Sequence, residues 1–407
     1  MSGFISFDEN SNQPRAKPSY QFLWGMGFRP FFWGGSMAAI YLIALWTAFF
    51  WKGISPASPL PAHFWHGHEM VYGFVSAIVA GFLLTASANW TKTRGLHGRS
   101  LKFLFFLWLA ARGGILIALW KPSFAAIAST IDLAFIPALV AFLAPPLIQT
   151  KVLRNLIFIP ILCAFWLGNL LMYFAGFNWI ASHYQRSGLL LGVNVISFLI
   201  IVIGGRVVPF FTQNALPNVK VRKASIIEIG SLIFMGAYLL WEFFSEPQST
   251  ISGWIALSLG IVSFIRLVLW QPQKTLQNPL LLILHLGYFW FSVGFLLIGM
   301  SDLWNLLSFT AAVHALTVGA IGIFIIGMVS RVSLGHSGRL LQLERGMLWS
   351  YLAINLAAIV RVSAAFLPIR YADAIVLSGA LWVLAFGILL FYYTRIYWTP
   401  RADGREG

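Results

Sequence analysis

Residues 69–88 of the chain read EMVYGFVSAIVAGFLLTASA, a run with a single charged side chain at its start. An α-helix needs about 20 mostly apolar residues to cross the hydrocarbon core of a membrane. The whole chain of 407 residues has this character, because 59% of its residues are hydrophobic and 10% are charged. Soluble domains contain about 25% charged residues. The composition therefore excludes a soluble enzyme and a disordered protein.

Twelve apolar runs of this kind follow one another along the chain. They lie at 30–51, 69–88, 101–120, 125–147, 155–175, 187–205, 225–244, 251–270, 279–300, 308–330, 346–367 and 372–396. The sequence therefore predicts an all-α polytopic membrane protein with about twelve transmembrane helices. We expect one membrane domain over 22–396, with a polar cytoplasmic tail at 1–21 before it and a cytoplasmic tail at 397–407 after it.

The basic residues predict the orientation of these helices. Lys and Arg number 27 against 12 Asp and Glu, a net charge of +15, and most of them fall in one set of alternate loops and in the two tails. The other set of loops holds only Lys52, Lys121, Arg186 and Arg370. Because cytoplasmic loops are enriched in Lys and Arg, both termini are predicted to be cytoplasmic. The excess of cations thus indicates membrane topology and not nucleic-acid binding.

Two of the runs resemble each other, which predicts an internal repeat. Three residues of the second run recur in the tenth at one common offset: His68, Gly73 and Gly81 match His314, Gly319 and Gly327. The sixth run gives a weaker copy, with Gly192, Asn194 and the triplet 204–206. Three four-helix units would make runs two, six and ten equivalent, and repeats in transporters enclose the functional site. The alternative is that glycines recur because apolar helices need them for packing.

Ionisable residues inside a membrane are expensive, so each is a functional candidate. His66, His68 and Glu69 open the second run, and His314 lies in the tenth run at a comparable depth. Imidazoles from two helices suit haem iron and copper. His66 and His68 diverge by about 200° on a helix, so they share a metal only if the chain around Gly67 is not helical. The alternatives are a hydrogen-bonded histidine and a proton relay.

Three arginines inside the runs have two interpretations. Arg112, Arg266 and Arg361 either neutralise haem propionates or form ion pairs with Asp132 or Glu228 within the helix bundle.

The remaining histidines are weaker candidates for metal ligands, and the single cysteine excludes several kinds of redox or metal site. His285 is expected to be a packed histidine too far from His314 to share its site, with a separate ligand role as the alternative, and His97 and His336 lie in loops beside arginines. The single cysteine, Cys163, excludes disulfides, a CxxC redox pair, a thiolate iron–sulfur cluster and covalent c-type haem.

Several short motifs follow one another in an order that resembles a known family. They are GFRPFF at 27–32, WHGHEM at 65–70, GFLLTA at 81–86 with NWT at 89–91, GGRVVPFFT at 204–212 and HALTVGA at 314–320. Together they resemble the NnrS family of bacterial inner-membrane proteins over about residues 22–395. Ala88 stands where the family has a proline.

The resemblance implies a haem- and copper-containing protein linked to nitric oxide metabolism, denitrification and protection from nitrosative stress. It implies non-covalent haem b, contact with the lipid bilayer and with nitric oxide or a related small molecule, and an unidentified electron donor, and it assigns no specific reaction. The expected cofactor contacts are His68, His314, Arg29, Asn194 and Arg206, and the expected metal ligands are His66, His68, Glu69 and His314. The alternatives are a proton-coupled secondary transporter with the same histidines and Glu69 as its proton relay, and a haem-sensing or assembly partner without turnover.

Overall fold

Long apolar helices follow one another through the chain, as the apolar runs predict. The structure is a computed structural model that describes residues 4–5, 19–54, 59–245, 248–366 and 371–405. Most of the predicted N-terminal tail and Arg370 lie outside the described residues.

Eleven helices of the described chain are long and apolar enough to cross a membrane, and one further apolar helix has 17 residues. In chain order the twelve are α1 (Phe28–Lys52), α2 (Ala62–Thr91), α3 (Gly98–Ala118), α4 (Pro122–Gln149), α5 (Leu153–Gly176), α6 (His183–Ala215), α7 (Ser225–Phe244), α8 (Thr250–Leu269), α9 (Pro279–Trp304), α10 (Phe309–His336), α11 (Met347–Ser363) and α12 (Tyr371–Tyr397). The prediction of an all-α polytopic membrane protein is confirmed. Where twelve spans were predicted, eleven are of full length and α11 is the shorter helix.

The chain divides into two compact units. The N-terminal unit contains Gln13–Val193, Ser333–Arg339 and Tyr393–Gly407, and the C-terminal unit contains the rest. In the N-terminal unit α2 packs against α1 and α4, and α4 also packs against α3 and α5. In the C-terminal unit α8 packs against α7 and α9, while α9 and α11 pack against α10.

A short parallel bridge also belongs to the C-terminal unit. It joins Phe4–Ile5 to Leu343–Glu344, with Phe4 opposite Leu343 and Ile5 opposite Glu344.

Three of the helices contain a segment of π-helix. These segments are Glu69–Val75 in α2, Ile200–Gly204 in α6 and Ala315–Gly322 in α10. In an 18-residue apolar stretch of each of these three helices, 78%, 72% and 78% of the residues are buried inside the protein. The corresponding share is 61% or less in the other full-length spans that are described. These helices correspond to runs two, six and ten, and in α2 and α10 the π-segment begins directly after His68 and His314. The shared geometry supports the predicted repeat.

Candidate functional site

His68 lies at the point where α2 changes from α-helix to π-helix. It is the last residue of the α-helical part, and its side chain is completely buried. Adjacent side chains on an α-helix diverge by about 100°, yet Glu69, the first residue of the π-segment, contacts the imidazole. Its Oε1 atom is 2.9 Å from Nδ1 of His68. π-Segments are frequent at functional sites, and this one brings two ionisable neighbours together.

Two residues from α4 and α5 face the other side of the imidazole. Nε2 of His68 is 2.8 Å from Oδ1 of Asn169 and 3.4 Å from Oδ2 of Asp132. The amide nitrogen of Asn169 donates to Asp132 Oδ2 over 2.8 Å, which agrees with the placement of the amide oxygen toward His68. Both ring nitrogens of His68 therefore face oxygen atoms.

Arg112 of α3 connects the two carboxylates. Its Nη1 donates to Glu69 Oε1 over 2.7 Å, and its Nη2 donates to Asp132 Oδ1. A side chain at Gly73, within the π-segment, would collide with this guanidinium, so the glycine makes room for Arg112. With the Tyr173 hydroxyl, which donates to Asp132 over 3.2 Å, these groups form what we call the His68 cluster: His68, Glu69, Arg112, Asp132, Asn169 and Tyr173.

The hydrogen bonds indicate how many protons the His68 cluster holds. An ionised carboxylate and an amide oxygen only accept hydrogen bonds, so with Glu69 ionised both ring nitrogens of His68 must donate. The imidazole is then a cation, and together with Arg112 it balances the charges of Glu69 and Asp132. If the proton lies on Glu69 instead, the imidazole is neutral and the net charge of the cluster is the same. Burial favours a cluster without net charge.

A small cavity adjoins the cluster. Its volume is about 20 Å³, which is enough for one water molecule. His68 and Tyr173 supply the polar part of its wall, and Trp65, Ile115 and Leu60 supply part of the apolar wall. A single water or a diatomic molecule of similar size fits beside the imidazole.

His66 does not join the cluster. Residues Ala62–His68 are α-helical, so the break at Gly67 that a shared metal requires is not formed. The ring of His66 stacks on Trp46 of α1, with centroids 4.5 Å apart and an angle of 7° between the planes. Of the three polar residues predicted at the start of α2, the structure brings together His68 and Glu69 only.

The hydrogen bonds of His68 bear on its predicted role as a metal ligand. A ligating histidine coordinates through one ring nitrogen and donates a hydrogen bond from the other. Here both nitrogens are engaged with oxygen atoms, so ligation through Nε2 requires that the contact with Asn169 open. Among the residues that the structure describes, no group of three or more His, Cys, Asp or Glu side chains is arranged to hold a metal ion.

His314 belongs to the C-terminal unit and has a different environment. It is half-buried, and its Nδ1 is 2.7 Å from the carbonyl oxygen of Thr310, one helical turn earlier. A carbonyl accepts hydrogen bonds, so Nδ1 carries the proton, and in the neutral ring the lone pair lies on Nε2. This tautomer is the one that a backbone carbonyl typically fixes in a metal-ligating histidine.

His285 of α9 is a packed, hydrogen-bonded histidine, in agreement with the expectation. It is 2% exposed, with Nδ1 3.0 Å from the Leu281 carbonyl and Nε2 3.5 Å from Thr212 Oγ1. Its neighbour Leu284 lies at the level of Gly327 on α10. That level is roughly 20 Å beyond His314 at 1.5 Å per residue, so these two histidines cannot share one metal.

Two of the three arginines inside the spans form ion pairs with carboxylates, which was one of the two interpretations. Arg112 pairs with Asp132, as described, and Arg266 pairs with Glu228, with Nε 3.1 Å from Oε1. Arg266 also donates to the Ile201 carbonyl of the second π-segment over 3.2 Å. Arg361 donates to the Tyr371 hydroxyl over 3.2 Å.

The other predicted cofactor contacts are dispersed. Arg29 is fully buried and donates to three carbonyl groups at the end of α12. Asn194 is buried within α6, and Arg206 is exposed just after the second π-segment.

Asn169 and Tyr173 were not singled out from the sequence. Both are neutral residues inside an apolar run, and their spacing of four positions on α5 is the available signal, because it places them on one face. The ionisable members of the cluster, His68, Glu69, Arg112 and Asp132, were recognised from the sequence.

Comparison with known proteins gives one extended match. The sequence model of the family described as NnrS protein matches residues 22–401. Among curated proteins no match is found.

Proposed function

The chain belongs to the NnrS family, and from this premise we propose that it binds haem and copper and acts in nitric oxide metabolism or in protection from nitrosative stress. The observation that carries the proposal is the family match, which covers nearly the whole chain. It agrees with a multi-pass membrane protein, and we place that protein in the bacterial inner membrane with both termini in the cytoplasm.

We assign the first cofactor ligand to His314. The Thr310 carbonyl orients its ring and leaves the lone pair on Nε2. The ring follows a full turn of α-helix and precedes the third π-segment, so the backbone around it is defined on both sides. Non-covalent haem b needs only such imidazole ligands.

His68 is a second ligand only in a different state of its cluster. The ring must lose one proton and its contact with Asn169 before Nε2 can coordinate. Glu69 would then be the carboxylate that accepts from Nδ1 and fixes the ring. In the arrangement described, His68 holds α2 against α4 and α5.

Nitric oxide needs no polar channel to reach a site within this protein. It is small and neutral, and the helices that surround the candidate site are apolar. Bound haem would supply an iron that binds the nitrogen atom of nitric oxide. The chain itself holds the imidazole of His314 in one tautomer. It also keeps Arg112 and Arg266 in ion pairs with Asp132 and Glu228 inside the protein.

The absorption spectrum of the purified protein tests the proposal. We expect a Soret band and bound haem in the wild type, loss or a clear shift of the band in His314→Ala, and an unchanged spectrum in His183→Ala, which removes an exposed histidine at the start of α6. His68→Ala should retain haem and lose thermal stability. A colourless wild type refutes cofactor binding, and a wild-type spectrum in His314→Ala refutes the ligand assignment.

A second candidate function, a proton-coupled secondary transporter, is favoured by the His68 cluster. The cluster gathers buried ionisable side chains inside the membrane-spanning helices, as proton relays in pumps and transporters do. This function predicts colourless protein and solute uptake into vesicles that depends on a pH gradient. Haem content and uptake measured on the same preparation distinguish the two functions.

A further inference from the structure

Five arginines lie near the end of α12. Three of them, Arg29, Arg401 and Arg405, have partners that carry negative charge, and Arg405 has its Nε 3.9 Å from Asp403 Oδ2. Arg29 donates to carbonyl groups at the C-terminal end of that helix, where the helix carries partial negative charge. Arg401 donates to both carboxylate oxygens of Asp403, from Nε over 2.8 Å and from Nη2 over 2.5 Å. The hydrogen bond from Arg401 lowers the pKa of Asp403 to about 2, so this carboxylate is ionised at neutral pH.

The other two, Arg339 and Arg395, are linked to each other through Thr399. Nη2 of Arg339 donates to Thr399 Oγ1 over 2.8 Å, and the same hydroxyl donates to the Arg395 carbonyl over 2.8 Å. Thr399 follows Arg395 by four residues, about one helical turn. The guanidinium of Arg339 therefore lies at the end of the helix turn that carries Arg395.

Neither of these two arginines has a carboxylate partner within the described part of the chain. The remaining hydrogen bond of Arg339 goes to the Ser337 carbonyl over 3.5 Å. Burial lowers the pKa of Arg339, and the positive charge of Arg395 lowers it further. The Thr399 hydrogen bonds place the half-buried guanidinium of Arg339 at the helix turn that carries Arg395, where solvent only partly screens the repulsion between the two charges. An anion placed between them would remove this repulsion.

We propose that Arg339 and Arg395 bind a phosphate group, and that the headgroup of a membrane phospholipid supplies it. Guanidinium groups offer paired N–H donors that match phosphate oxygens. Arg395 is exposed on the last turn of a membrane-spanning helix, which is the level of lipid headgroups.

The aromatic residues beside this site favour a lipid over a free anion. Trp398 packs edge-on against Trp33 of α1, with ring centroids 5.7 Å apart. Tryptophan is enriched at the membrane–water interface, so this pair marks the depth at which phosphates lie. Anionic lipids are abundant on the cytoplasmic surface, where the ends of α12 and α10 are predicted to lie.

Lipid retention by the purified full-length protein tests the site. Native mass spectrometry is carried out in detergent with added phosphatidylglycerol, with diacylglycerol, which has the same acyl chains and no phosphate, and with inorganic phosphate alone. We expect the wild type to retain phosphatidylglycerol and Arg395→Gln to bind it about tenfold more weakly, as loss of one charge-assisted contact implies. Arg395 is exposed, so this variant is expected to fold. Arg395→Lys, which keeps the charge without the paired donors, should bind with intermediate strength.

The matched control is Arg154→Gln, which removes an exposed arginine of a predicted cytoplasmic loop in the same unit. It should bind phosphatidylglycerol as the wild type does. Equal loss in Arg154→Gln and Arg395→Gln, or equal retention of diacylglycerol and phosphatidylglycerol, overturns the proposal. Displacement of the lipid by inorganic phosphate would refute the lipid source and leave a phosphate site.

Discussion

Arg112 lies between two buried carboxylates, and its positive charge offsets theirs. Its guanidinium is 1% exposed, and it donates to Glu69 and to Asp132. Removing one partner of a buried ion pair leaves an uncompensated charge, which destabilises a protein far more than removal of the whole pair. The side chain therefore stabilises the packing of α2, α3 and α4.

We expect Arg112→Met to lower the free energy of unfolding by about 3–5 kcal/mol, because it keeps much of the side-chain volume and removes the charge. Thermal or denaturant unfolding in detergent measures this loss. Arg99→Met, at an exposed position at the start of α3, is the control and should change stability little. Similar loss in the two variants would contradict the role of the ion pairs.

Charged residues could be recognised from the sequence, whereas their neutral partners could not. Pairing of the arginines inside the runs with Asp132 or Glu228 was one of two interpretations, because an unpaired charge in an apolar helix is expensive. Which arginine pairs with which carboxylate followed only from the structure. Asn169 looks like any packed amide until the fold brings α5 against α4. The tautomer of His314 depends on the Thr310 carbonyl and follows from the backbone alone.

At the scale of helices, each π-containing helix is followed by a pair of helices joined through a buried arginine. In α3 and α4 the pair is Arg112 with Asp132, in α7 and α8 it is Arg266 with Glu228, and in α11 and α12 it is Arg361 with the Tyr371 hydroxyl. The arginine lies at a different place in its helix pair in the three cases, but each contact joins the two helices of the pair. This pattern agrees with three four-helix units.

Glycines at two of the π-segments admit these arginines. A side chain at Gly73 would collide with the guanidinium of Arg112, and one at Gly205 would collide with that of Arg266. We expect Gly73→Ala and Gly205→Ala each to lower the free energy of unfolding by about 1–3 kcal/mol, as overpacking does. Melting curves in detergent measure the effect.

Gly113→Ala is the matched control, because nothing lies within 4 Å of a side chain added there. It should leave stability unchanged or raise it slightly, since alanine favours helix over glycine. If all three alanine variants melt at the wild-type temperature, the glycines do not act by admitting the arginines.

The π-segments themselves could not be predicted from the sequence. A run of twenty apolar residues fits an α-helix and a helix with a π-turn equally well, since both place it across the membrane. The recurrence of His68 and Gly73 as His314 and Gly319 predicted that α2 and α10 correspond. It did not show that the geometry after each histidine departs from the α-helix.

For the whole molecule, composition predicted the fold class because successive runs of about 20 apolar residues with few charges fit helices that cross a membrane. It also predicted the number of helices closely. The exception is α11, which at 17 residues is shorter than a full span. The orientation in the membrane depends on the distribution of Lys and Arg and remains a prediction.

Cysteine labelling measures this orientation. In a Cys163→Ser background, Ser123→Cys and Ser182→Cys lie at exposed positions in predicted periplasmic loops, and Ser100→Cys and Ala402→Cys at exposed positions on the predicted cytoplasmic side. We expect a membrane-impermeant maleimide to label the first two in intact cells and the other two only after permeabilisation. The reverse pattern would invert the topology.

The hold of Arg29 on the last turn of α12 has a practical consequence for work with this protein. Its Nη1 atom donates to the carbonyls of Ile396, Tyr397 and Thr399 over 3.3, 3.0 and 2.7 Å. A truncation that removes these residues would strand a buried cation in the first transmembrane helix. Affinity tags and reporter fusions should therefore be placed after Thr399, with a spacer, and never inserted before it.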